Sequence, residues 1–169
     1  NVSNWAEFKT ILDEFEIAQQ QVEDMANSPD EQPALVMLLN EAAPQAAIIT
    51  TAITAMINEE AGLSATADRK ALLGMMADVR GSMGLGLANI RAQLLTGDNK
   101  FADLFNGFWA TNDRRFADLS NNTRVMTRTQ RAEFDKLVVA REIFAPLPEQ
   151  MFAMRSSNQW NMANFLLIS

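Results

Sequence analysis

Apolar residues recur along this chain at intervals of three and four, the spacing that keeps side chains on one face of an α-helix. Phe8, Ile11, Leu12, Phe15, Val22 and Met25 form one such stripe and predict a first helix over about residues 3–27. Ser3 is its candidate cap, and Glu7 favours the positive end of the helix dipole. Ser28-Pro29-Asp30 interrupts the pattern, and Pro29 suits the first position of a new helix. From about residue 30 to 60 the chain is apolar nearly all round, through Leu35, Leu39, Ala46, Ile49, Ile53, Met56 and Ile57. A helix of that kind is buried in a bundle or at a subunit interface. Pro44 inside it predicts a kink or break.

Gly62-Leu63-Ser64 predicts a turn. A third helix is expected over 65–95, with Gly97 just past its end, where a left-handed residue is needed. A fourth follows over about 99–119, with Phe101, Leu104, Phe105, Phe108 and Phe116 on one side, and Ser120-Asn121-Asn122 breaks it. A fifth opens at the cap candidates Thr127 or Thr129 and carries Phe134, Leu137, Phe144, Leu147 and Met151. Pro146 and Pro148 predict kinks in it, and it is expected to run on through Trp160. No stretch alternates in the manner of a strand. The predicted class is all-α, an elongated up-down helical bundle.

The pattern also repeats. "AEFKTILDEFEIAQQQVEDM" (residues 6–25) aligns without gaps to "AEFDKLVVAREIFAPLPEQM" (residues 132–151), and "PALVMLL" (residues 33–39) resembles "NMANFLL" (residues 161–167). This echo suggests two stacked helical modules sharing long helices, one from residues 1–60 plus 127–169 and one from 61–126. The opening Asn1 and the apolar closing run make residues 1–169 read as a piece of a longer protein.

Composition narrows the chemistry. Among 169 residues there is no cysteine and no histidine. That removes thiol chemistry, zinc clusters, histidine-ligated haem and the usual general base. No metal or cofactor is implied, and no nucleophile–base pair is visible, so an enzyme is not expected. The net charge of −7, with fourteen scattered Lys and Arg, argues against nucleic acid as a partner. No run reaches the roughly 20 apolar residues of a membrane span, and no signal peptide is present.

Arginines interrupt the apolar faces. Arg69, Arg80 and Arg91 lie eleven residues apart, about three helical turns, so they stack along one side of the third helix. On a helical wheel they flank the stripe of Leu72, Met76, Val79, Met83, Ile90 and Leu94. Two readings are open for each. The stem can cover the core edge while the guanidinium reaches water or an acidic neighbour. Alternatively, the planar fork can grip a carboxylate between helices. Asn112 and Arg141 also fall on apolar faces, and Asn112 is suited first to fixing core register. Arg155, Asn158 and Asn161 surround Trp160, which is itself suited first to core packing or an interface.

"ADVRGSMGLGLANIRAQLLTGDNKFADLF" (residues 77–105) resembles the arginine-bearing helix, Thr-Gly-Asp end and following helix of bacterial extracytoplasmic helical-bundle sensor domains. "MRSSNQWNMANFLL" (residues 154–167) and "PALVMLLNEAAPQAAIITTAITAMINEE" (residues 33–60) are similar to pieces of the same type. Such domains belong to methyl-accepting chemotaxis proteins and sensor histidine kinases, and the doubled pattern resembles the helical bimodular class. The resemblance implies a periplasmic ligand-binding domain of an inner-membrane receptor, a homodimer, with membrane segments flanking it outside this chain. It implies a small anionic ligand, a carboxylate above all, held by Arg80, Arg91, Arg155, Asn158 and Asn161, with Arg69, Asn112, Arg141 and Trp160 as secondary candidates. Some related kinase sensors read a periplasmic binding protein instead. A ligand-free structural bundle is the remaining alternative.

Overall fold

The computed structural model describes residues 2–168, with side-chain surroundings from residue 4 onward. Every regular element among them is helical. Helix α1 spans Val2–Ala26, and Ser3, expected to cap it, lies outside the described side chains. Ser28 then caps a short 3₁₀ turn, Pro29–Glu31, accepting from the Asp30 N–H at 3.1 Å.

The apolar segment that follows is one interrupted rod. Helix α2 (Pro33–Met37) passes through a π turn (Leu38–Ala42) into α3 (Ala43–Ala61). Pro44 explains the interruption. It has no N–H to give to the carbonyl four residues back, and its ring crowds that carbonyl. In the π turn the Ala43 N–H reaches back five residues, to the Leu38 carbonyl. By length and composition the span Pro33–Ala61 is apolar enough to cross a membrane, which corrects the sequence expectation that no such stretch exists. Scattered Thr, Gln and Asn hide that average when contiguous apolar runs are sought. In the fold, Ile49, Ile53 and Met56 of this rod face the bundle core.

Helix α4 (Ala67–Thr96) is capped by the Thr66 hydroxyl and closed by Gly97 at φ 72°. Helix α5 (Lys100–Asn121) is joined through a 3₁₀ turn (Thr123–Val125) to α6 (Arg128–Phe144). Thr127 and Gln130 form a reciprocal capping box at the start of α6. The predicted fifth helix does not run on to the end. It breaks at Ala145-Pro146, resumes as α7 (Leu147–Ser156), breaks again, and ends in α8 (Met162–Ile168).

Short connections make α3, α4, α5 and α6 antiparallel neighbours. Helix α3 lies against α4 and α6, and α4 lies against α5. Stacked Phe116 and Phe134 close the ring between α5 and α6. Ile49, Ile53, Met56, Leu72, Met76, Leu119, Leu137 and Phe144 are almost fully buried inside it. Each contributes about 1.5–3 kcal/mol through removal from water. Helix α7 leans back over α2 and the end of α4.

Helix α1 lies outside this ring, packed chiefly on α8. The echoed segments therefore pair crosswise, 132–151 with the α2–α3 rod and α1 with α8. Burial differs sharply between the two pairs. Phe134 is 6% exposed and Leu137 0%, while their counterparts Phe8 and Ile11 are 53% and 57% exposed.

One end of the ring is fastened by a buried carboxylate. Glu60 takes the Arg69 guanidinium through both oxygens, at 2.7 and 2.8 Å, and a third bond of 2.8 Å from Gln130 Nε2. Gln130 Nε2 also donates to the Met56 carbonyl, and Arg69 Nη1 to that of Val125. Arg69→Met keeps the apolar stem but leaves this carboxylate short of its charge partner. The expected loss is about 3–5 kcal/mol, read from urea unfolding. A loss below 1 kcal/mol would mean that water already compensates Glu60.

Candidate functional site

The opposite end of the bundle holds a pocket of about 260 Å³. Its walls come from segments far apart in sequence: Gln32, Ala34, Leu35 and Leu38 around α2, Arg91, Leu94 and Leu95 on α4, Arg155 on α7, and Trp160 in the following connection. No acidic residue lines it.

Its geometry starts from a helix end. The last carbonyls of α4 have no partner within the helix. The Gly97 N–H takes the Gln93 carbonyl at 2.7 Å, and Arg155 Nε takes that of Leu94 at 2.8 Å. The Arg155 charge thus sits at the negative end of the α4 dipole. Its guanidinium also lies over the Trp160 indole, 4.3 Å from the ring centroid. Glycine is required at 97 for two reasons. The backbone there is left-handed, and a β-carbon would lie 2.8 Å from Arg155 Nη2.

Arg91 sits on α4 one turn before Leu95. It is exposed at the pocket wall, with no hydrogen bond or ion pair among the described residues. Beyond Gly97, Asp98 turns the chain into α5. The Lys100 ammonium, at 2.7 Å, and then the Lys100 backbone N–H hold its carboxyl below the usual aspartate range. Its contribution to the turn is therefore present above the ordinary aspartate pKa and lost as pH falls through the lowered one.

The sequence candidates separate into three groups. Arg91, Arg155 and Trp160 meet at the pocket. Arg69, Asn112 and Arg141 serve internal networks. Asn112 is buried and donates to the Val79 carbonyl and Ser82 Oγ, each at 2.9 Å, while its own Oδ1 accepts from Arg141 Nε at 3.0 Å. Arg141 is also paired with Asp113 and held between the rings of Trp109 and Phe116. The third group lies off the pocket wall. Arg80 is exposed on α4, about 16 Å along the helix from Arg91. Asn161 caps α8 through the Asn164 N–H and donates to Glu31 at 2.8 Å. Asn158 is exposed in the connection.

Sequence reasoning missed Gln32, Leu35 and Leu38 as wall residues, because only the tertiary fold brings α2 against α4. Among the described residues no group of His, Cys, Asp or Glu could hold a metal ion. No family model, no curated protein and no solved structure matches this chain.

The crowding between residues 97 and 155 can be measured. Gly97→Ala is expected to cost about 1–2 kcal/mol for the left-handed backbone, and more from displacing Arg155. In a double-mutant cycle with Arg155→Ala, the Gly97→Ala penalty should fall by at least 0.5 kcal/mol, the size of coupling seen between touching groups. Strict additivity would show that Arg155 does not rest on this turn.

Proposed function

We propose that this chain is the ligand-binding sensor domain of a bacterial transmembrane chemoreceptor or sensor histidine kinase. In this reading it works on the periplasmic side of the inner membrane and detects a small organic anion, a carboxylate above all. The observation that carries the reading is the pocket: two guanidinium groups on different helices, one of them unpaired, with no acidic side chain among the lining residues. Arg69, Arg115 and Arg141 meet carboxylates within the bundle. Arg91 meets none among the described residues, and of the arginines without such a partner it and Arg155 line the pocket.

The signal follows from the connections. A carboxylate bridging Arg91 on α4 and Arg155 on α7 favours whichever helix placement brings the two forks together. Helix α7 leads through Trp160 into α8, and α8 lies on α1. A small slide of α7 against α4 therefore reaches α1, the outermost helix.

The exposed stripe of α1, with Trp5, Phe8, Ile11, Leu12 and Phe15, supports a homodimer in the same reading. Helix α1 carries six acidic residues against one lysine. Two copies meeting there repel electrostatically, so salt should strengthen the association. Sedimentation velocity at low and high salt tests this, and Phe15→Glu should abolish it. A monomer under all conditions would instead assign the stripe to a different protein, such as a periplasmic binding protein.

The ligand test is a thermal-shift screen over carboxylates, amines, amino acids and the amides of the same acids. A ligand at a hundred times its Kd stabilises by about 2.7 kcal/mol, roughly 5–10 °C for this size. Carboxylates are expected to shift Tm and their amides not, with Arg91→Ala cutting affinity at least tenfold. Silence across the panel would overturn the small-anion reading.

A further inference from the structure

We infer that the pocket takes a monoanion with an apolar body, an aromatic or branched monocarboxylate, in preference to di- and tricarboxylates. The inference rests on the reading of this pocket as an anion site and narrows it to one ligand class.

Charge sets the first limit. Arg155 is already committed: its Nε bonds the Leu94 carbonyl, and its charge faces the negative end of α4. Arg91 has no such partner. Arg91 is thus the guanidinium free to grip a carboxylate with both arms, while Arg155, its charge offset in part by the helix end, stays tied to the end of α4.

The rest of the wall sets the second. Apart from the two arginines and the Trp160 indole N–H, Gln32 is the sole polar side chain among the lining residues. Leu38, Leu94 and Ala34 line the pocket as buried apolar side chains, and Leu35 and Leu95 line it as exposed ones. A second carboxylate on the ligand would be stripped of water against leucine with no cation to meet it, which is costly. A ring or branched chain there removes apolar surface from water on both partners. The Trp160 indole, with one face on Arg155, offers a flat aromatic neighbour.

Volume sets the third. At about 260 Å³ the pocket is small for a ligand cleft, which favours a compact ligand. Benzoate is compact and carries a single charge. A citrate ion is larger and carries its charge at several points.

The test is titration calorimetry on the intact chain with benzoate, phenylacetate, 4-methylpentanoate, succinate, citrate and benzamide. The three monocarboxylates are expected to bind at least tenfold more tightly than succinate or citrate, and benzamide at least tenfold more weakly than benzoate. Leu95 is 83% exposed at the pocket rim, so Leu95→Glu adds a competing charge without disturbing the core. It should weaken benzoate at least tenfold. Leu85→Glu, on α4 away from the lining residues, should leave it unchanged, and circular dichroism confirms that both variants are folded. Tighter binding of succinate or citrate would overturn the monoanion inference while leaving the anion reading standing. Equal binding of benzamide and benzoate, or no binding by any acid, would overturn both. An unaffected Leu95→Glu variant would place the ligand elsewhere and overturn this assignment.

Discussion

A thirty-residue helix has to end, and its last carbonyls then need donors from outside. At the end of α4 this requirement organises much of what surrounds it. Gly97 turns left-handed and supplies one N–H, and a guanidinium from α7 supplies another. For Arg155 to reach Leu94, α7 must cross the end of α4, and the break at Ala145-Pro146 frees it from the line of α6. The chain beyond Ser156 then turns, and Trp160 comes to rest on the guanidinium. The pocket is the space left between that closure and α2.

Arg69, Arg80 and Arg91 share a residue type, a helix and a spacing, yet they do different things. Arg69 meets a buried carboxylate and becomes a fastening. Arg80 stays on the exposed face of the rod. Arg91 reaches a wall of leucines with no acid in range. The difference lies in the opposing helices, because a guanidinium charge is always present and its role is set by what faces it. Glu60 sits at one end of the bundle, and among the described residues no buried carboxylate sits at the other.

Much of the fold is legible in the sequence because helix signals are local. The stripes of α1, α5 and α6 show at intervals of three and four. Gly97 and Thr127 mark ends through chemistry that acts over a few residues. Other features have weaker local marks. Thr66 caps α4 two residues past the expected turn, and Ser157 to Asn161 breaks a helix in a stretch whose apolar residues keep helical spacing. Arg91, Arg155 and Trp160 could be singled out as polar or aromatic interruptions. That they share one pocket, and that Gln32, Leu35 and Leu38 complete it, depends on contacts between distant segments. The Glu60 fastening is similar: Thr127 shows as a cap candidate, but Gln130 as its partner and Glu60, far along the chain, show only in the fold.

The π turn has a sequence mark of its own. Ala34, Leu38, Ala42 and Ala46 are all buried at strict intervals of four. In an ideal α-helix each such step overshoots a full turn by about 40°, so three steps would carry the face about 120° around the axis. The wider turn at Leu38–Ala42 absorbs that drift and keeps one side of the rod inward. Residue number is therefore a structural variable here, alongside residue type. Wound as plain α-helix at its present length, the rod would instead rotate everything before it by about 100° relative to α3. Leu35 and Leu38 would then swing away from the pocket wall while the core below kept its place. One surplus residue, taken up where Pro44 breaks the α-helical ladder, is thereby bound to the shape of the site.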